Sequence, residues 1–347
     1  MKRKKIAVAE LAQLTGKERK ERLVQGAEDE GKVTFYTSTA PEDVQSLLLA
    51  FGMRYPFIQS EMVRDKGTLL RERITQEYRD GGSPVDVIEL SDINLGKLKQ
   101  RGLIRSYLSP GAKHYPRELR ESEGYWVAEQ RNFLVLAWNT HLLEGILVPQ
   151  SYDGLLDPRL KGKITVELHD ASWMATLMTH WGEKKGINFF RSLGHQVGGV
   201  RIGHQIIAEQ IAASSAILSP TIHSNNSEWL KRRGLPIDWR PLEPVVTELV
   251  GTALPVDPPH PHAAMLLIDF ILSLEGQKIL RLWKRVPCHP GVKADPPYMS
   301  SGFDSILVDA KAFLERESDL EELWRELMLK PLGQSGRKPE AVARPEG

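Results

Sequence analysis

Short β-branched and aromatic runs alternate with helical runs between Val33 and Gly102, and the alternation returns between Lys163 and Arg233. Residues 33–37, 58–63 and 85–90 read as strands. Residues 41–51, 68–78 and 92–101 read as the helices between and after them, Pro41 opening the first and Gly102 stopping the last. The second set comprises strands at 163–168, 199–202 and 216–218, and helices at 172–181, 187–193, 205–213 and 226–233. A strand followed by a helix and another strand implies a right-handed crossover, so mainly parallel sheets covered on both faces are expected. The fold class is α/β.

Two extended stretches, 132–138 and 244–255, separate the sets. The chain is therefore expected to build a first lobe, cross near 130–138, build a second, and return near 246–254. That gives two doubly wound lobes joined by two hinge strands. The expected division is 1–30 as an N-terminal tail and helix, 31–131 and 252–330 as lobe one, 132–251 as lobe two, and 331–347 as a disordered tail. A length of 347 residues suits two domains of about 100–200 each. Lys and Arg number 46 against 45 Asp and Glu, which leaves no basic surplus to displace counterions, so no nucleic-acid partner is expected. No apolar run reaches the roughly 18 residues of a membrane span. The single cysteine, Cys288, excludes an internal disulfide and a cysteine-based zinc site. Residues 1–5 resemble the charged start of an export signal, but Glu10 and Gln13 break the apolar stretch that should follow.

In such sheets ligands bind at the carboxyl ends of the strands. The loops there hold Ser38 and Thr39, then Lys66, Gly67 and Thr68, then Ser91 in lobe one. In lobe two they hold Asp170 with Ser172 and Trp173, His204, and Thr221 with His223. Each precedes a predicted helix, so free N–H groups and positive helix ends should face one rim and favour an anion. These residues can equally serve only as helix caps. Arg131, before the first crossing, could fork onto an anion or form a hinge ion pair. Trp173 could wall a ligand or cover the core of lobe two. His169, His204 and His223 with Glu89 form a candidate transition-metal set. His260 and His262 begin a helix, and a capping role suits them.

Signatures of catalysis are missing: no G-x-S-x-G, no H-E-x-x-H, no phosphate loop and no G-x-G-x-x-G after a strand. Cys288 and His289 are adjacent in an extended segment and point to opposite sides. No enzyme activity and no cofactor are expected.

Several segments together resemble one family. They are 30–38, Phe51 with Tyr55 and Pro56, 84–88, Asn139 with Thr140, 259–264, Asp269 with Phe270, and Ser273 with 275–277. Across residues 22–297 the chain resembles bacterial extracellular solute-binding proteins of ABC importers, the type II periplasmic binding proteins, and their ferric-ion-binding branch most of all. The resemblance implies capture of a small solute by lobe closure, delivery to an ABC permease of the cytoplasmic membrane, periplasmic residence and a monomeric state. Ferric-binding members carry adjacent tyrosines where this chain has Thr221 and Ile222, so the resemblance does not bring a tyrosinate iron site with it. The rim then points to an anionic organic solute. The competing reading is a metal-binding carrier or metal-dependent enzyme using His169, His204, His223 and Glu89. A regulatory module ranks last, because the first 30 residues are too short and charged for a helix-turn-helix domain.

Overall fold

The computed structural model describes residues 10–11, 14–143 and 148–334. It divides into two units, Met1–Arg131 with Leu249–Tyr298, and Asn132–Glu248 with Met299–Gly347.

Unit 1 begins with α1 (Gly16–Glu30), which ends at Gly31 in the left-handed conformation, φ 66°, where the absence of a Cβ removes the steric penalty. Its first sheet is built on β1 (Lys32–Thr37), which buries nearly every residue. The helix α2 (Pro41–Arg54) follows and buries Val44, Leu47, Leu48 and Phe51, the stripe its periodicity predicts. Next come β2 (Gln59–Arg64), α3 (Gly67–Arg79), β3 (Val87–Ser91) and α4 (Asp92–Gln100). β2 and β3 pair in parallel with the two edges of β1. The short β4 (Ile104–Arg105) precedes β5 (Trp126–Asn139), a longer strand than the sequence suggests.

The chain passes into unit 2 within β5, between Arg131 and Asn132. Unit 2 then runs through β6 (Ile164–Glu167), α5 (Ala171–Trp181), α6 (Glu183–Gly194), β7 (Val197–Arg201), α7 (His204–Ala212), β8 (Leu218–His223), α8 (Ser224–Arg232) and β9 (Ile237–Arg240). β6 lies between β7 and β8 and is parallel to both. β5 is antiparallel to β8 on one side and to β9 on the other.

Within β10 (Val245–Pro255) the chain returns to unit 1, where residues 250–253 pair antiparallel with β3. It adds α9 (Pro261–Ile271), α10 (Leu274–Leu282) and β11 (Val286–Pro287). A third passage after Tyr298 puts β12 (Ser305–Leu307), α11 (Ala310–Glu315) and α12 (Glu317–Gln334) in unit 2. The sequence reading assigned this segment, with the rest of 252–330, to lobe one. The spacing of residues 310–329 predicts a charged amphipathic helix, which shows that one face is buried but not which sheet it covers. Residues 331–334, expected in a disordered tail, continue α12; residues 335–347, the export-signal start at 1–5 and Gln13 lie outside the described residues.

Unit 2's core is aromatic. Trp173 is wholly buried, edge-on to Phe190 (centroids 5.1 Å apart, planes at 84°) and to Trp324 (6.1 Å, 86°). Such pairs contribute about 0.5–1.5 kcal/mol each beyond the burial of their area. The Trp324 indole N–H donates to the Leu168 carbonyl at 2.8 Å, which fixes α12 against the loop after β6. Trp173 therefore packs the core and is not a ligand wall. The helix face that carries it also buries Met174 and Leu177, so its ring turns inward with theirs.

Helices α6 and α12 touch where α6 ends in Gly194. A Cβ at Gly194 would sit 1.9 Å from the Leu327 carbonyl oxygen, a backbone atom with no rotamer to yield. Gly194→Ala is expected to destabilise the protein by about 1–3 kcal/mol, read from the midpoint of urea unfolding. A midpoint unchanged from wild type would show that α12 does not sit this tightly.

Candidate functional site

Three helices of unit 2 begin at the carboxyl edge of its parallel strands. Asp170 precedes α5, His204 opens α7, and His223 precedes α8. Their side chains meet. His204 Nε2 lies 3.3 Å from Asp170 Oδ1, and the His204 and His223 rings are 4.2 Å apart between centroids. Three helix amino ends therefore converge on one spot, as parallel pairing of β7, β6 and β8 requires when each strand feeds a helix directly.

Glu167, at the end of β6, ties two of these loops together. Its carboxylate accepts the backbone N–H of His169 and, at 3.0 Å, that of Gly203. Glu248 enters from β10. Its Oε2 lies 3.6 Å from His223 Nε2, while its Oε1 accepts the Ser172 hydroxyl at 3.1 Å.

Burial shapes the electrostatics. Loss of hydration pushes the His204 imidazolium down to about 4, helped by neighbouring His223, so His204 is neutral at neutral pH. Desolvation drives the Asp170 carboxyl well above the ordinary range, and the negative charge of Glu167 adds to it. Thr221 lies close enough to pull Asp170 back slightly, but its Oγ1 makes no full hydrogen bond. Glu248 is likewise raised, first by burial, with His204 and Ser172 opposing. The buried hydroxyls of Thr221, Ser224 and Ser227 and the Asp170 Oδ2 have no hydrogen-bond partner. An orphaned buried polar atom costs about 1–3 kcal/mol, so such hydroxyls at and just inside the start of α8 are groups that a ligand could satisfy.

Of the residues singled out in the sequence, the structure brings together Asp170, Ser172, His204, Thr221 and His223. His169 is exposed and takes no part in the His204–His223–Glu248 cluster; only its backbone contributes, through Glu167. Glu89 lies in unit 1, wholly buried, and accepts the hydroxyls of Thr37 and Thr39. The acidic member of the histidine cluster is instead Glu248. Thr221 and Ile222 belong to strand β8 and not to a loop, both wholly buried. Pro220 does not end that strand, because it falls in the irregular stretch of the β5–β8 pairing, where its nitrogen need not donate.

The unit 1 residues are mostly structural. Ser91 caps α4, its Oγ accepting the Asn94 side-chain amide at 2.9 Å. Gly67 comes so close to Asn94 that an added Cβ would lie 3.2 Å from its amide nitrogen, with Ser38 just beyond. Lys66 and Thr68 are exposed, and Thr39 is buried, donating to Glu89 and accepting from Gln130 at 3.0 Å. Arg131 sits beside buried Cys288, whose thiol is pushed up to about 12 by desolvation with Arg131 opposing. A thiol so protonated is no nucleophile. His260 and His262 bind Asp86 (2.9 Å) and Glu30 (2.6 Å) through their Nδ1 atoms and anchor the start of α9.

Helix amino ends that converge at the carboxyl edge of parallel strands are where sheets of this kind bind ligands. The chain belongs to the bacterial extracellular solute-binding protein family, whose pattern it matches over residues 83–301. Members are the solute-binding components of ABC importers and are not enzymes. A Haemophilus influenzae protein is 25% identical over 273 residues, covering 75% of this chain and 77% of that one. The fold is similar to the periplasmic binding protein AfuA of Actinobacillus pleuropneumoniae, solved with fructose-6-phosphate bound. That match has a TM-score of 0.76 and 19% identity, over 86% of this chain and 98% of the other. Iron-bound HitA of Pseudomonas aeruginosa matches with a TM-score of 0.73 and 21% identity, over 86% and 99%.

Unit 1 also buries a second carboxyl, Glu129, near Glu89. Glu129 is raised well above the ordinary range by desolvation and then by the charge of Glu89, with the Thr252 hydroxyl opposing. An acid whose folded pKa is raised binds more protons folded than unfolded. Its contribution is fully present below the unfolded pKa and is lost as pH rises towards the folded one. Glu129→Gln keeps an acceptor for Thr252 and removes the charge. The melting temperature of the variant should gain on wild type as pH is raised from 4 to 8. A constant offset across that range would contradict the protonation assigned to Glu129.

Proposed function

We infer that this chain is the periplasmic receptor of an ABC importer and that its solute is a small organic anion. The supporting observation is the convergence of three helix amino ends at Asp170, His204 and His223. Each such end carries about half a positive charge together with unpaired N–H donors. A carboxylate or phosphate seated there would accept from these N–H groups and from the buried hydroxyls of Thr221, Ser224 and Ser227. His204 is neutral there, and burial disfavours ionisation of Asp170 and Glu248, so the seat presents less negative charge than its composition suggests. The fructose-6-phosphate bound by AfuA is a solute of this chemistry. Ferric capture by tyrosinates is not supported, since Thr221 and Ile222 stand where the ferric-binding branch has its tyrosines. The protein is proposed to act as a monomer, delivering its solute to the membrane permease.

The test is a thermal-shift screen of dialysed, chelator-treated protein against sugar phosphates, phosphonates, carboxylates, sulfonates, thiamine and polyamines. A ligand at 100 times its Kd should stabilise by about 2.7 kcal/mol and raise Tm by several degrees. Thr221→Val and Ser224→Ala should each weaken that ligand about tenfold or more, the worth of a hydrogen bond to a charged group. A shift with cationic solutes alone would overturn the anion assignment.

A further inference from the structure

We propose that His204, His223 and Glu248 bind a divalent first-row transition cation, with Asp170 holding the His204 ring from behind. One ligand atom from each of the three lies within 4.8 Å of the other two. Two imidazoles and a carboxylate form a donor set suited to zinc, iron, cobalt or nickel, and unlike the all-oxygen set that calcium or magnesium takes.

The separations suit a shared ion. His223 Nε2 and Glu248 Oε2 are 3.6 Å apart. Metal–nitrogen bonds of about 2.0–2.1 Å in a tetrahedron put neighbouring ligand atoms about 3.3–3.4 Å apart, close to that spacing. His204 shows the same division of labour. Its Nε2 faces Asp170 at 3.3 Å, while its Nδ1 is buried without a partner. A buried imidazole nitrogen left without a partner, with a carboxyl group beside the other nitrogen, is an arrangement that a metal ion would complete. Glu248 is positioned similarly, Ser172 occupying Oε1 and leaving Oε2 towards His223.

The cation site shares its surroundings with the anion seat. A divalent charge there would add to the helix ends in attracting an anionic group. Only that coupling rests on the receptor reading; metal binding itself does not.

The probe is Co2+, then Zn2+, titrated alone into chelator-stripped full-length protein whose affinity tag has been removed. One equivalent of Co2+ should bind and give visible ligand-field absorption, and one equivalent of Zn2+ should displace it. His204→Ala and His223→Ala should each weaken binding more than about 100-fold, since even outer-sphere partners of metal ligands cost about 10–100-fold. Glu248→Gln, close to isosteric, guards against a folding defect and should also weaken it. His169→Ala, outside the cluster, should bind as wild type. Failure to bind a stoichiometric ion, or binding unchanged in both histidine variants, overturns the proposal. The solute screen repeated on stripped protein separates the two claims: a solute shift without metal binding sinks the cation site and spares the receptor, and metal binding without any anion shift does the reverse.

Discussion

A helix that starts where a parallel strand stops leaves its first backbone N–H groups without partners. Unit 2 repeats that step after β6, β7 and β8, and the shared direction of the strands puts all three ends on one edge of the sheet. The concentration of donors and positive potential there is a consequence of topology, and side chains only adjust it. Glu167 relieves part of it by accepting two backbone N–H groups, which also holds the loops after β6 and β7 together. What remains, with the buried hydroxyls of Ser224 and Ser227, is the surface to which we assign solute recognition.

Rigidity beneath that edge comes from the aromatic core. Trp173 occupies the first turn of α5, one residue after Ser172 and three after Asp170, so packing its ring against Phe190 and Trp324 fixes the two polar residues that precede it. From sequence alone Trp173 fits either a ligand wall or the core. The core role holds Asp170 and Ser172 where His204 and Glu248 meet them.

Periodicity made the α/β class and most helices legible, because a buried stripe needs only local sequence to be seen. The polar residues before α5, α7 and α8 were also legible, since a strand–helix boundary announces itself by a cap or glycine. Three features were not. A strand was expected at 216–218, but the run of β8 on to His223 hid behind Pro220, whose tolerance depends on an irregular pairing with β5 that no local window contains. Glu248 arrived from β10, far from the other cluster members in sequence; its one local signal was a carboxylate inside an otherwise apolar extended run. The destination of α12 depended on which unit offered an aromatic socket, and amphipathicity carries no such address.

The interleaving of the chain bears on when it can fold. Unit 1 lacks β10, α9 and α10 until synthesis has passed their residues, and unit 2 lacks the ring of Trp324 until nearly the whole chain exists. Neither core can be completed by the amino-terminal part of its unit alone, so each waits for residues made much later in the chain. Two units that share interleaved segments in this way are tied to one another through the order in which the chain is made.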